Sequence, residues 1–217
     1  MIPFMTEEAY VKGGVILASV LLIAASAWQN FHIARKTKHA WRTFATARGW
    51  SYDEIAREIE VLGVHHGAQV SLATETRNQG RASRRLAVLR VDLSDVLPSG
   101  LHLESKVLLD RFLERLGKRD GAVGDTELDA ALDLKDLNPQ GRALLVAPHV
   151  REPLLRASKD YKHLVIIEGL LEAEHPGVPF TAVDLEKFVT PTLDLVEALR
   201  TAALSTAVPE SHSVQRS

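Results

Sequence analysis

Cysteine is absent from the 217 residues. That excludes disulfide frameworks, thiolate zinc sites, iron–sulfur clusters and cysteine nucleophiles. It leaves the compartment open. Aromatic residues make up only 6% of the chain, and none is interleaved with its clustered arginines. A stacking platform for single-stranded nucleic acid is therefore not expected, and nucleic acid is not an expected partner. Neither charge sign dominates: 26 Lys+Arg stand against 28 Asp+Glu, a net −2. No Gly-x-Ser-x-Gly elbow, P-loop or Gly-x-Gly-x-x-Gly run occurs. No catalytic residue and no cofactor site is assigned on these grounds.

Two stretches invite a metal and fail in detail. Gly124-Asp125-Thr126-Glu127-Leu128-Asp129 carries alternate carboxylates, as a calcium loop does. Its sixth loop position is Ala130 rather than glycine, and Asp136 stands where a bidentate Glu is needed. His65-His66 are adjacent, so in a strand they point to opposite faces. His102, His149, His163 and His175 are scattered singly. No metal ligand set is expected.

What is present is one long apolar run. From residue 13 to residue 34 there is no charged side chain, and the centre reads Val15-Ile16-Leu17-Ala18-Ser19-Val20-Leu21-Leu22-Ile23-Ala24-Ala25. A helix of that length rises about 33 Å, close to the roughly 30 Å hydrocarbon thickness of a bilayer. Trp28 and Phe31 suit an interface. The expectation is a short N-terminal tail over 1–12 and a transmembrane helix over 13–34. Arg35, Lys36, Lys38 and Arg42 follow the run, whereas Glu7, Glu8 and one base, Lys12, precede it. The positive-inside bias then puts the N-terminus outside a bacterial inner membrane and the following domain in the cytoplasm. The competing reading is a cleaved secretion signal, with Ala25-Ser26-Ala27 as the small-x-small site and a periplasmic or secreted domain beginning near Trp28.

The whole chain is 46% hydrophobic and 25% charged, ordinary for a folded protein. The soluble domain is expected over 38–204, with a disordered polar tail over 205–217. Trp41, Phe44, Ala45 and Ala47 are at helical spacing, with Gly49 as a C-cap. The period then changes to two. A short strand over 60–64, a turn at His65-His66-Gly67, a strand over 69–76, a turn at Asn78-Gln79-Gly80 and a strand over 84–93 make an antiparallel meander. Leu101 and Leu103 suggest another short strand. Residues 107–116 read as helix, 125–137 and 143–147 stay undecided between helix and strand, and 148–158 holds a short helix. Residues 164–173 read as one strand. Residues 183–204 read as a long amphipathic helix that Pro191 should kink or break. The fold class is α+β: an antiparallel β-meander packed with helices, preceded by one N-terminal transmembrane helix.

Several short segments in this order resemble uncharacterised bacterial membrane-anchored proteins of the deltaproteobacterial type. They are Val61-Leu62-Gly63, Leu97-Pro98-Ser99-Gly100-Leu101, Gly124-Asp125-Thr126-Glu127-Leu128-Asp129 and Arg142-Ala143-Leu144-Leu145. In those proteins a Gly-Asp-x-x-Phe-Asp step precedes a strand, and Leu128 stands at the Phe position here. The resemblance implies no activity. It implies that Leu128 enters the core while the carboxylates flank it as turn and cap residues.

The expected function is that of a single-pass membrane-anchored protein whose soluble domain is a protein- or lipid-binding module. Its partners would be the membrane, through 13–34, and another membrane or cytoplasmic protein. Arg77, Arg81, Arg84 and Arg85 surround the second hairpin turn and are the candidate contacts for anionic head groups or a partner. The rival is a hydrolase-like enzyme, with Asp125, Asp129 and His149 as the residues most worth finding in one pocket.

Overall fold

The computed structural model describes residues 7–56, 58–79, 82–98, 100–106, 123–135 and 137–206; side chains of the first helix are described from residue 19 onward. That helix, α1, runs Glu7–Arg48 without interruption. It is followed by β1 (Ser51–Ile55), β2 (Glu58–His65), β3 (Ala68–Gln79) and β4 (Ala82–Asp92). β1 was not legible in the sequence, because Ser51-Tyr52-Asp53-Glu54-Ile55 carries no apolar alternation. The other three are the expected meander, each a little longer than the apolar pattern alone marks out. The expected turn at 78–80 falls in part outside the described residues.

Beyond the meander come β5 (His102–Ser105), α2 (Thr126–Ala131), β6 (Leu132–Lys135), α3 (Pro139–Val146), α4 (Pro148–Asp160), β7 (His163–Ile167), β8 (Leu170–His175) and α5 (Ala182–Thr206). All strands join one antiparallel sheet in the order β1-β2-β3-β4-β8-β7-β5-β6. The α+β class therefore holds. The helix expected over 107–116 lies outside the described residues; of the tail expected over 205–217, Ser205 and Thr206 belong to the last helix and the rest lies outside the described residues.

Strand register gathers the apolar positions on one face. Val61 lies opposite Leu72, Leu72 opposite Leu89, Leu89 opposite Ala173 and Ala173 opposite Leu164. A second row runs Val70, Val91, Leu171, Ile166, Leu103. Every residue in both rows is buried. A one-residue slip of any strand would turn its apolar set to the other side. This inner face is covered by the C-terminal half of α1 and by α4 and α5, through Trp41, Phe44, Leu154, Leu155, Phe188, Val189, Val196 and Leu199.

Two expectations need correction, and one open segment is decided. The run 164–173 is two strands. Glu168 and Gly169 both have positive φ, 51° and 82°, the geometry of a tight two-residue hairpin that continues a right-handed twist. Residues 143–147 belong to the end of α3 and its cap rather than to a strand. Pro191 does not divide the last helix, since α5 is one continuous element around it. The proline lacks an N–H and crowds the preceding turn. In that turn the Phe188 carbonyl accepts a hydrogen bond from the hydroxyl of Tyr161, which caps the end of α4, and Phe188, Val189, Leu193 and Leu195 hold the helix on the sheet from both sides of the proline.

Gly169 is also where the two halves of the sheet are locked together. The Leu93 N–H donates to its carbonyl at 2.8 Å, and a Cβ on Gly169 would stand 2.6 Å from the Ser94 Cα. Gly177 has a similar φ, 87°, but open space around its Cα. Gly169→Ala should therefore combine left-handed strain with a backbone clash and lower unfolding stability by about 2–4 kcal/mol. Gly177→Ala should cost about 1–2 kcal/mol, from the strain alone. Urea unfolding followed by tryptophan fluorescence measures both; equal losses would sink the steric account.

Candidate functional site

α1 has two halves with opposite surroundings. From Thr37 onward it enters the core: Thr37, Ala40, Trp41, Phe44 and Ala45 are buried. The Trp41 ring is fully enclosed, and its Nε1 donates to the Pro179 carbonyl at 2.9 Å. From residue 19 to residue 36 every side chain is exposed. Val20, Leu21, Leu22 and Ile23 occupy four consecutive positions, which point to all sides of a helix because each step turns about 100°. Trp28, Phe31 and Ile33 continue the apolar surface. Among the described residues, no helix is long and apolar enough to cross a membrane. The expected span over 13–34 falls in part, at 13–18, outside the residues whose side chains are described.

The point of departure from the domain is basic. Arg35 and Lys36 are exposed, with no ion-pair partner among the described residues. The next cations are tied to the domain. Lys38 pairs with Glu54, Arg42 lies over the Tyr52 ring at 5.0 Å, and Arg48 pairs with Glu186 at 2.5 Å.

These contacts also fix direction. Trp50 N donates to the Ala45 carbonyl, Tyr52 meets Arg42, and Glu54 meets Lys38. Strand β1 thus runs back along α1, two strand residues for about four helix residues, as rises of about 3.3 and 1.5 Å require. Its end at Ile55 comes level with about residue 36 of the helix. Antiparallel pairing then sends β3 and β8 the same way. The β1–β2 turn, the β3–β4 end and the loop 176–181 consequently share one edge of the domain, the edge from which α1 departs.

The four arginines of the second hairpin do not form one patch. Arg81 lies outside the described residues. Arg77 and Arg84 face each other across β3 and β4 on the outer face of the sheet. Arg77 crosses β4 to reach Glu172 at 2.9 Å and Glu174 on β8. The Glu172 hydrogen bond, with the nearby carboxylates, holds its pKa above the ordinary arginine value. Arg85 is on the inner-face register, exposed at the strand end, and donates to the Thr74 hydroxyl at 3.4 Å. Arg84 is exposed.

On the same outer face His163, Glu172 and Glu174 bring ligand atoms within 4.8 Å of one another. Two guanidinium groups already occupy the carboxylates. Arg90 donates to Glu172 at 2.7 Å and to Glu75 at 2.5 Å, beside the Arg77 contacts. Burial raises the Glu172 pKa, but the two arginine hydrogen bonds outweigh it and leave it lowered. A metal ion would have to displace both arginines, so the cluster is built as an ion-pair lattice. His65 and His66 stack edge-on at 4.4 Å, and burial lowers the His65 pKa; among the described residues neither belongs to a ligand cluster.

Asp125, Asp129 and His149 do not converge. Asp125 caps α2 by accepting from Glu127 N and Leu128 N, and Arg151 on α4 donates to it at 2.6 Å. Asp129 accepts from Val123 N and Gly124 N. Leu128, between them, is fully buried. His149 lines a separate hollow of about 300 Å³ with Asp194, Glu197 and Thr201. A larger cleft of about 510 Å³ lies between the end of β8 and the start of α5, lined by Tyr161, His175, Phe180, Asp184, Lys187 and Phe188. None of the residues singled out in the sequence lines it except His175.

The Arg151 hydrogen bond is the main reason the Asp125 carboxyl is held down at about 2. A carboxylate with a folded pKa below its unfolded value of about 3.9 stabilises the fold above that value. The contribution is lost as pH falls from about 4 to about 2. Asp125→Asn should reduce stability at neutral pH and flatten acid unfolding in that window, as read by circular dichroism. An unchanged acid profile would show that the Asp125–Arg151 pair is not coupled to folding. With this geometry in hand, comparison with known proteins adds no relative: no protein-family model, curated protein or solved structure matches the chain.

Proposed function

We propose that the chain is a single-pass membrane-anchored protein, held in a bacterial inner membrane by the apolar segment 13–34, with its α+β domain on the cytoplasmic side as a lipid- or protein-binding module. The observation that carries this reading is the exposure of Val20, Leu21, Leu22 and Ile23 around the whole circumference of α1. An apolar stripe would ask for one partner helix; an apolar cylinder asks for an apolar solvent. Arg35 and Lys36, exposed where the cylinder ends, agree with a cytoplasmic domain by the positive-inside bias.

The arginine hairpin fits the same reading. Its strands run to the edge at which α1 leaves the domain, so Arg84 and Arg85 would come to rest near anionic head groups. Each cation there is worth about 1 kcal/mol. Arg77 takes the other role: it is neutralised by Glu172 and Glu174 and braces the hairpin against β8. Uninterrupted helix through Ala25-Ser26-Ala27 into the packed core favours the anchor over the cleaved signal.

Two measurements test the reading. Carbonate extraction of membranes, with intact-mass analysis, should recover the full-length chain in the pellet. A mature chain beginning at Trp28 in the soluble fraction would overturn the anchor. For the hairpin, the domain 38–204 carrying Arg84→Glu and Arg85→Glu should bind phosphatidylglycerol vesicles at least about tenfold more weakly than the parent domain, given about 1 kcal/mol for each charge removed. Equal binding would remove the hairpin from the lipid contact.

A further inference from the structure

The edge of the domain from which α1 departs carries apolar side chains that its fold does not use. Ile55, at the end of β1, is 62% exposed, and Phe180, in the loop before α5, is 56% exposed. They come from elements far apart in sequence, yet both lie close to the exit of α1. Ile55 follows Glu54, which is paired with Lys38. Phe180 follows Pro179, whose carbonyl accepts the Trp41 indole N–H.

The rise of the helix sets their heights. Taking residue 34 as the end of the apolar segment, Lys38 is about 6 Å and Trp41 about 10 Å further along the axis. The β1 direction brings Ile55 nearer to residue 34 than Glu54 is. Trp41 reaches back toward the helix N-terminus, as helical side chains do, and so brings Pro179 nearer as well. Each polar zone of a bilayer is about 5–8 Å deep. Ile55 therefore falls within that zone, and the Phe180 ring falls at its outer boundary.

Charge agrees with depth. Arg35 and Lys36 ring the helix at the same level and have no ion-pair partner among the described residues. Cations at that height would bind lipid phosphates with Ile55 beside them and the Phe180 ring further out, at the boundary of the zone. α5 runs away from this edge, because Arg48 meets Glu186 seven residues beyond the levels of Trp41 and Pro179.

Resting on the anchor reading above, we propose that Ile55 and Phe180 insert into the interfacial zone of the bilayer. The domain would then sit on the membrane through the helix, these two side chains and the β3–β4 hairpin that runs past them, rather than swing from the helix alone. The occupant of this apolar edge is the lipid surface itself.

The absence of cysteine makes a direct test available. Full-length chains bearing Ile23→Cys, Ile55→Cys, Phe180→Cys or Thr201→Cys are labelled with a small fluorophore. They are reconstituted into vesicles of phosphatidylcholine and phosphatidylglycerol. Nitroxide-bearing lipids then act as quenchers, with the nitroxide either at the head group or deep in the acyl chain. The label at 23 should be quenched by the deep nitroxide. Labels at 55 and 180 should be quenched severalfold more by the head-group nitroxide than the label at 201, on exposed α5 surface far from the edge. A label at 55 or 180 that behaves like the one at 201, while 23 is quenched, overturns the insertion and leaves the anchor intact. An unquenched label at 23 overturns the anchor and the insertion with it.

Discussion

The orientation of the exposed half of α1 depends on how one tryptophan is held. Trp41 is fully buried and hydrogen-bonded to the loop before α5. Phe44 packs one turn further, edge-on to Trp50 at 5.8 Å, and Arg48 lies over both rings while pairing with Glu186. A buried aromatic of this size contributes a few kcal/mol through area and packing. Here it also fixes an angle, because α1 is one helix. The direction in which the exposed apolar half leaves the domain is set by how its other half is seated.

The outer face of the sheet shows how a half-covered antiparallel sheet avoids wasting apolar surface. Leu86 and Val88 are buried there, although the register places them on the side away from the helical layer. Arg77 arches over β4 to Glu172 and Glu174, and Arg90 reaches Glu172 and Glu75. The aliphatic stems of long cations can cover apolar neighbours while their heads stay in water. Partly exposed pairs of this kind add little stability singly. Their shared acceptor, Glu172, joins β3, β4 and β8 into one lattice, and that lattice gives the sheet a rigid polar side.

The sequence makes the meander and the last helix legible because both bury one face repeatedly, and repetition is what periodicity detects. β1 escapes because it is a short edge strand: Ser51, Asp53 and Glu54 stay at the surface, and its pairing is carried by backbone. The β7–β8 turn escapes because Glu168 adopts positive φ without being a residue that advertises it. Of the two outcomes expected at Pro191, the break does not occur, because the rule against interior proline weighs local terms only, whereas tertiary contacts on both sides of the residue hold the helix together. Of the candidate residues, the cap role of Asp125 and the burial of Leu128 match what the resemblance over Gly124 to Asp129 implies. The fate of the arginines is not: Arg77 and Arg84 are neighbours in space, yet Glu172 and Glu174, which distinguish them, lie some hundred positions away in the chain.

The unbroken helix also makes the protein sensitive to phase. Apolar cylinder and domain are joined through residues 34–37 with no loop between them, so the two share one screw. Adding or removing a residue there would turn the domain by about 100° and move it by about 1.5 Å along the axis. The edge bearing Ile55, Phe180 and the hairpin would then face elsewhere. Seven residues, nearly two full turns, would restore the azimuth but lift the domain by about 10 Å. The joint therefore tolerates substitution far better than it tolerates a change of length.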